Sequence, residues 1–198
     1  MMYDVKEETR QIIGEVYRDG NPNSGVLSSL KNTSTLNELR NQDALQTIIR
    51  NLAKNQLSQD GKPTIAEVSV YAALHFYAIC QQGQDQLAYA PSKGVQPGGV
   101  QLFVALANLQ SEENTLDGRV NALLLANNVA NIINELTHLI RRLKSSGSAQ
   151  KIDFPQVAQD LCDFQQGYKQ AGWVRLRWGE MYFYNHSDSQ KEGEMTND

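Results

Sequence analysis

Three histidines and two cysteines are the side chains of this 198-residue sequence best suited to nucleophilic or metal chemistry, and their spacing supports little of either. His75 lies in a very apolar run and reads as a core histidine. Glu135-Leu136-Thr137-His138 is a Glu-x-x-His, the helical fragment of dinuclear iron bundles, but such a site needs a second copy and two further glutamates on partner helices. The sequence holds no second copy. Cys80 and Cys162 stand far apart, without C-x-x-C or zinc-type spacing, and read as buried free thiols. A cysteine–histidine nucleophile pair is the residual enzymatic alternative. There is no G-x-x-x-x-G-K, no G-x-S-x-G and no H-E-x-x-H. The expectation is a protein that is not an enzyme and carries no metal and no cofactor.

The cations are more informative. The chain has a net charge of -4, but the average hides a gradient. Residues 119–177 carry eight Lys and Arg against four Asp and Glu, whereas residues 1–118 carry nine against 13 and residues 178–198 one against five. Within the basic segment, Asn127, Asn131, Asn134, His138, Arg141 and Arg142, with Lys144 close by, stack along one face of a helical run. Glu135 at the edge is its one carboxylate. Amides and guanidinium groups in such a row suit phosphate and sugar oxygens. The competing reading is a solvated face whose last-turn cations complement the helix dipole. Further on, Trp173-Val174-Arg175-Leu176-Arg177-Trp178 places two arginines between two tryptophans, a texture that binds nucleic acid by phosphate pairing and stacking. Aromatics in the core with arginines lying over them are the alternative.

The elements that must hold these residues are helices, because alternation of apolar and polar residues at period two is nearly absent. Periodic runs cover 3–18, 24–30, 36–54, 64–81, 100–109, 118–144 and the stretch opened by Asp153-Phe154-Pro155, where proline suits a first turn. An aromatic-rich helix over 173–184 closes the series. The glycine- and proline-rich stretch 82–99 is long for a loop within one bundle and marks a boundary. The predicted fold is therefore all-α and two-lobed: an N-terminal helical lobe over 1–96, a C-terminal bundle with a basic face over 97–186, and a disordered tail over 187–198.

Composition narrows the class. With 40% hydrophobic and 20% charged residues the chain is not intrinsically disordered. No apolar run approaches the roughly 20 residues that cross a bilayer, and Met1–Glu8 contains no apolar signal core. A soluble cytoplasmic protein is expected. Asn and Gln are frequent, at 16 and 19, so much of the polar surface carries little charge.

Several blocks resemble the small subunit, CasB type, of the type I-E CRISPR Cascade surveillance complex. Leu116-Asp117-Gly118-Arg119-Val120 with Leu123-Leu124 is similar to the segment after that family's central loop. His138-Leu139-Ile140-Arg141-Arg142-Leu143 resembles its basic helix end, and Ile152-Asp153-Phe154 with Ala158-Gln159-Asp160-Leu161 its "LD(Y/F)…LA.DL" step. Arg175-Leu176-Arg177-Trp178-Gly179-Glu180-Met181-Tyr182-Phe183 resembles its closing R-x-RWG-x-x-FY block. Asp19-Gly20 with Gly25–Lys31 is similar to its "DG…G.LA.LRR" stretch, with Lys31-Asn32 replacing the paired arginines. The resemblance implies a non-catalytic helical subunit, paired with a second copy among other Cascade subunits, the crRNA and target DNA. Its task would be to hold the R-loop and especially the displaced non-target strand. Carried over by position, the implied phosphate contacts are Lys31, Arg119, Arg141, Arg142, Lys144, Arg175 and Arg177, with Lys151 and Lys169 beside them. Guide pairing reads sequence in such systems, so base-reading side chains are not required. A structural adaptor that joins partners without touching DNA is the alternative.

Overall fold

The computed structural model describes residues 4–109, 115–148 and 150–195, with side chains given through Tyr184 in the last helix. The described residues form α1 (Lys6–Tyr17), α2 (Ser24–Asn32), α3 (Gln42–Asn51), α4 (Ile65–Gln81), α5 (Leu102–Asn108), α6 (Thr115–Leu125), α7 (Val129–Ser145), α8 (Phe154–Phe164) and α9 (Tyr168–Met195). Extended pairing among them is limited to isolated bridges from Ile152 to Tyr89 and Val100. The protein is an all-α bundle, and none of the described helices is long and apolar enough to cross a membrane.

The centre is α4. Its sequence is apolar nearly all round, so it suits a position surrounded by other helices. Its start is fixed by a reciprocal cap: the Thr64 hydroxyl accepts the Glu67 N–H at 3.1 Å, and the Glu67 carboxylate accepts the Thr64 N–H at 2.7 Å. Helix α4 packs most extensively on α8, and also on α2, α7 and α1. Helix α8 begins where the Asp153 side chain accepts the Gln156 N–H, with Pro155 in the first turn. Around the other side, α5 packs on α9, where Phe103 and Trp178 stack with centroids 4.8 Å apart. Buried side chains from Val5 to Tyr182 form one continuous cluster. Each fully buried Leu, Ile or Phe in it contributes roughly 1.5–3 kcal/mol.

The division expected at residues 96/97 is therefore crossed by α8, which comes from the second half of the chain and packs against α4 and α1 of the first. The stretch 82–99 is fastened to the segment before α8. The Ile152 N–H donates to Ala88 O at 3.0 Å, Val100 N–H to Lys151 O at 2.9 Å and Asp153 N–H to Val100 O at 3.0 Å. Asp153 also accepts the Ser92 N–H and hydroxyl, at 2.8 and 2.7 Å. Gly99 is required in this seam, because a Cβ there would collide with the Ala90 carbonyl.

Three helix boundaries differ from the periodicity. The run 118–144 is two helices, α6 and α7, broken at 126–128. Asn128 caps α7 by accepting the Ala130 N–H at 2.8 Å, a local bond that asparagine offers in competition with the helix interior. Leu125, which an unbroken helix over 118–144 would place on the same apolar side as Ile132 and Leu139, is 79% exposed as a result. The run 36–54 opens as a short 3-10 turn, Leu36–Glu38, and becomes α3 only after Asn41 accepts the Ala44 N–H. Helix α9 starts at Tyr168, before Trp173, and its backbone continues to Met195, into the stretch expected as a tail. Extending a formed helix orders one residue per hydrogen bond, which is easier than starting one. Residues 196–198 of that stretch lie outside the described residues.

Candidate nucleic-acid interface

Three contacts tie the last turns of α2 and α7 to the C-terminal half of α4 and the residue after it. The His75 Nδ1–H donates to Leu30 O at 2.8 Å, the Lys31 ammonium donates to the Gln82 side chain, and the Lys144 ammonium donates to Cys80 O at 2.8 Å. The C-termini of α4 and α7 lie side by side and present unpaired carbonyls and the negative ends of two dipoles, which favours cations at this end of the bundle. Partial burial among them lowers the Lys144 pKa from its ordinary value, through loss of hydration. Arg141 is exposed and Arg142 half-buried in the same last turns of α7. Neither side chain makes a hydrogen bond or ion pair among the described residues. Lys144 and Lys151 line a groove of about 320 Å³ between the end of α7 and the segment after α4, together with Cys80, Gln86 and Asp85. Five of the expected cations, Lys31, Arg141, Arg142, Lys144 and Lys151, thus belong to one end of the molecule.

The remaining four are placed elsewhere, each against a partner within the chain. Arg175 donates to Ala126 O at 2.7 Å and Asn127 Oδ1 at 2.8 Å, and its guanidinium lies 5.0 Å from the centre of the Phe164 ring. Those contacts hold it at the start of α7, and α7 at 17 residues is about 25 Å long. Lys169 stands 5.1 Å over the Trp173 ring. Arg119 pairs with Glu135 at 3.4 Å, so the carboxylate of the Glu-x-x-His fragment faces a guanidinium. Arg177 donates to Asp160 at 2.6 Å. The single basic face expected from the sequence is two groups at opposite ends of α7, plus two separate ion pairs.

Asp160 is a residue to which sequence reasoning assigns no task. Its buried carboxylate accepts three donors at 2.6 Å each: Arg177 Nη2, Trp178 Nε1 and Gln156 Nε2. Nearby, the Tyr182 hydroxyl donates to Asp117 at 2.6 Å. The sequence does carry a signal, since Asp160 is an acid among the inward-facing Val157, Leu161 and Phe164 of an amphipathic helix. An acid in that position needs donors from another element.

The groups suited to catalysis are not gathered. Burial raises the thiols of Cys80 and Cys162 to about 12 and about 11, so both are protonated at neutral pH. His75 is pushed down by burial and is neutral, with its Nδ1 proton committed to Leu30 O. Among the described residues no three His, Cys, Asp or Glu side chains converge in a way that could hold a metal ion.

The sequence matches the family described as CRISPR-associated protein Cse2 over residues 27–183. The chain belongs to the Cse2 family. Its fold is similar to the crystal structure of CasB from Thermobifida fusca, with a TM-score of 0.63 and 24% sequence identity over 90% of this chain and 94% of that one. No curated protein matches the sequence closely enough to be a relative. In this Cse2-family chain the short blocks that carried the resemblance meet one another in space. Asp117 of one touches Tyr182 of the closing block, and Asp160 of another touches Arg177 and Trp178 of the same block. The most recognisable stretch of the sequence is a clamp that fastens α9 to α6 and α8.

Proposed function

We propose that this chain is a non-catalytic subunit of a crRNA-guided Cascade complex acting in CRISPR defence. It stabilises the R-loop by holding the phosphate backbone of the displaced non-target strand and of the guide–target duplex. Its partners on this reading are the other Cascade subunits, the crRNA, the target DNA and a second copy of itself. The observation that supports it best, beside the family, is the uncommitted pair Arg141 and Arg142 next to Lys31, Lys144 and Lys151 at one end of the bundle. Such a cluster within an acidic protein attracts a polyanion locally while leaving other surfaces free for neutral or basic neighbours. Arg119 and Lys169 are secondary contacts. Arg175 and Arg177 act chiefly by holding the fold.

The experiment is binding of a single-stranded oligodeoxynucleotide, read by fluorescence anisotropy across a salt series. The wild type is expected to show a steep salt slope, and Arg141→Gln with Arg142→Gln to flatten it by about 0.7 for each phosphate that is no longer neutralised. One observation favours a second reading, a structural adaptor without DNA contact: Arg119, Lys144, Arg175 and Arg177 all have partners inside the chain. That reading predicts the same binding, or the same lack of it, in the wild type and the variant, both for the isolated chain and in the assembled complex.

A further inference from the structure

Between α4 and α7, closed at one side by the segment 34–37, lies a cleft of about 460 Å³. It is separate from the groove that holds Lys144 and Lys151. Its floor is apolar, with Tyr71, Ala72 and Ile133, and the Tyr71 ring is held in place by its hydroxyl donating to Thr33 O at 3.0 Å. Its rim is polar and uncommitted: the side chains of Asn37, Asn134 and Arg141 make no hydrogen bond or ion pair among the described residues. No carboxylate among the described residues lines it. The charge of Glu38 reaches Tyr71, but that side chain is not part of the lining. His75 borders the same space as a neutral ring.

An occupant of such a cleft is flat and apolar on its faces, hydrogen-bonding at its edge, and anionic at the end near Arg141. A nucleotide has this chemistry. Amide groups both donate and accept, so the Asn37 and Asn134 rim tolerates the edge of any base. Arg141 belongs both to the cleft and to the cationic end of the bundle, so a strand lying across that end passes the mouth of the cleft. We propose that the cleft seats one unstacked base of a bound single strand, with the adjoining phosphate on Arg141. This rests on the backbone-binding reading above and adds a contact to the base that backbone binding does not require.

The test compares two oligonucleotides of equal length on the full chain: oligo-dT, and the same backbone with abasic residues throughout its middle. Wild type should bind oligo-dT about tenfold more tightly than the abasic strand, the order of effect expected for one seated base. Ala130→Trp adds bulk at the exposed rim without altering charge. It should bind the abasic strand as the wild type does and lose the preference for bases. Equal wild-type affinity for both strands overturns the proposal, as does a preference that survives Ala130→Trp. Thymidine monophosphate binding as tightly as oligo-dT overturns the assignment to a strand. If neither strand binds, it is the backbone-binding reading that fails, and the base site fails with it.

Discussion

The indole N–H of Trp178 donates to the buried carboxylate of Asp160 at 2.6 Å, joining α9 to α8 inside the apolar core. Arg177 reaches the other oxygen of the same carboxylate, so neighbouring residues on α9 close one acid from two sides. The pair explains why an arginine-rich stretch that reads as a nucleic-acid texture is first a structural joint.

Removing the acceptor is expected to cost more than removing one donor. Asp160→Ala should destabilise the protein by about 3 kcal/mol, because Trp178 and Arg177 are both left without it. Trp178→Phe should cost about 1–3 kcal/mol. Urea denaturation of the single and double variants should give a coupling energy well above about 0.5 kcal/mol. A coupling near zero would mean that this hydrogen bond does not hold α9.

Arg177 and Arg141 are expected to give opposite phenotypes. Arg177→Gln breaks a bond to a buried acid and should lower the melting temperature by several degrees, with the DNA salt slope unchanged. Arg141→Gln removes a side chain with no internal partner and should leave the melting temperature within about a degree while lowering DNA affinity. Thermal unfolding and anisotropy on the same samples separate the two.

Stability should depend on pH through His75. Its folded pKa lies below the ordinary 6.5 because burial, and secondarily Arg141, disfavour the charged ring. Above pH 6.5 both states are neutral there and its contribution is complete. As pH falls below 6.5 the unfolded chain takes up a proton that the folded chain resists, and stability declines by up to about 1.4 kcal/mol per pH unit. His75→Gln keeps a donor for the Leu30 carbonyl and does not titrate. The difference between wild type and variant should be flat above pH 6.5 and shift in favour of the variant below it, as read by urea midpoints.

Gly99→Ala tests the seam between 88–100 and 151–153. Its added Cβ meets the backbone of Ala90, which has no rotamer to yield. A loss of about 3 kcal/mol or more is expected. Faster proteolysis within 82–99 should accompany it.

Much of the fold was legible in the residues themselves. The apolar periods of α1, α4, α5 and α8 and the Asp153-Phe154-Pro155 start follow from helix geometry and local hydrogen bonding, which need no knowledge of neighbours. The break at Asn127-Asn128 was missed because the apolar period continues across it; the local cap, together with Arg175 binding Ala126 O, decides it.

The sequence by itself determined an all-α chain, its concentration of cations in 119–177 and its resemblance to a family. Those properties depend on residue type and on spacing within one element. Only the tertiary structure decided which cations share a surface. Lys31 joins Lys144 because both side chains reach the C-terminal end of α4, at Gln82 and Cys80, while Arg175 lies at the far end of the same α7. It also turned Asp160 from an unremarked acid into the acceptor that fixes Arg177 and Trp178. A charge pattern along a chain is one-dimensional, whereas a phosphate or a buried carboxylate is met by whatever the packing of several helices brings within about 3 Å of it.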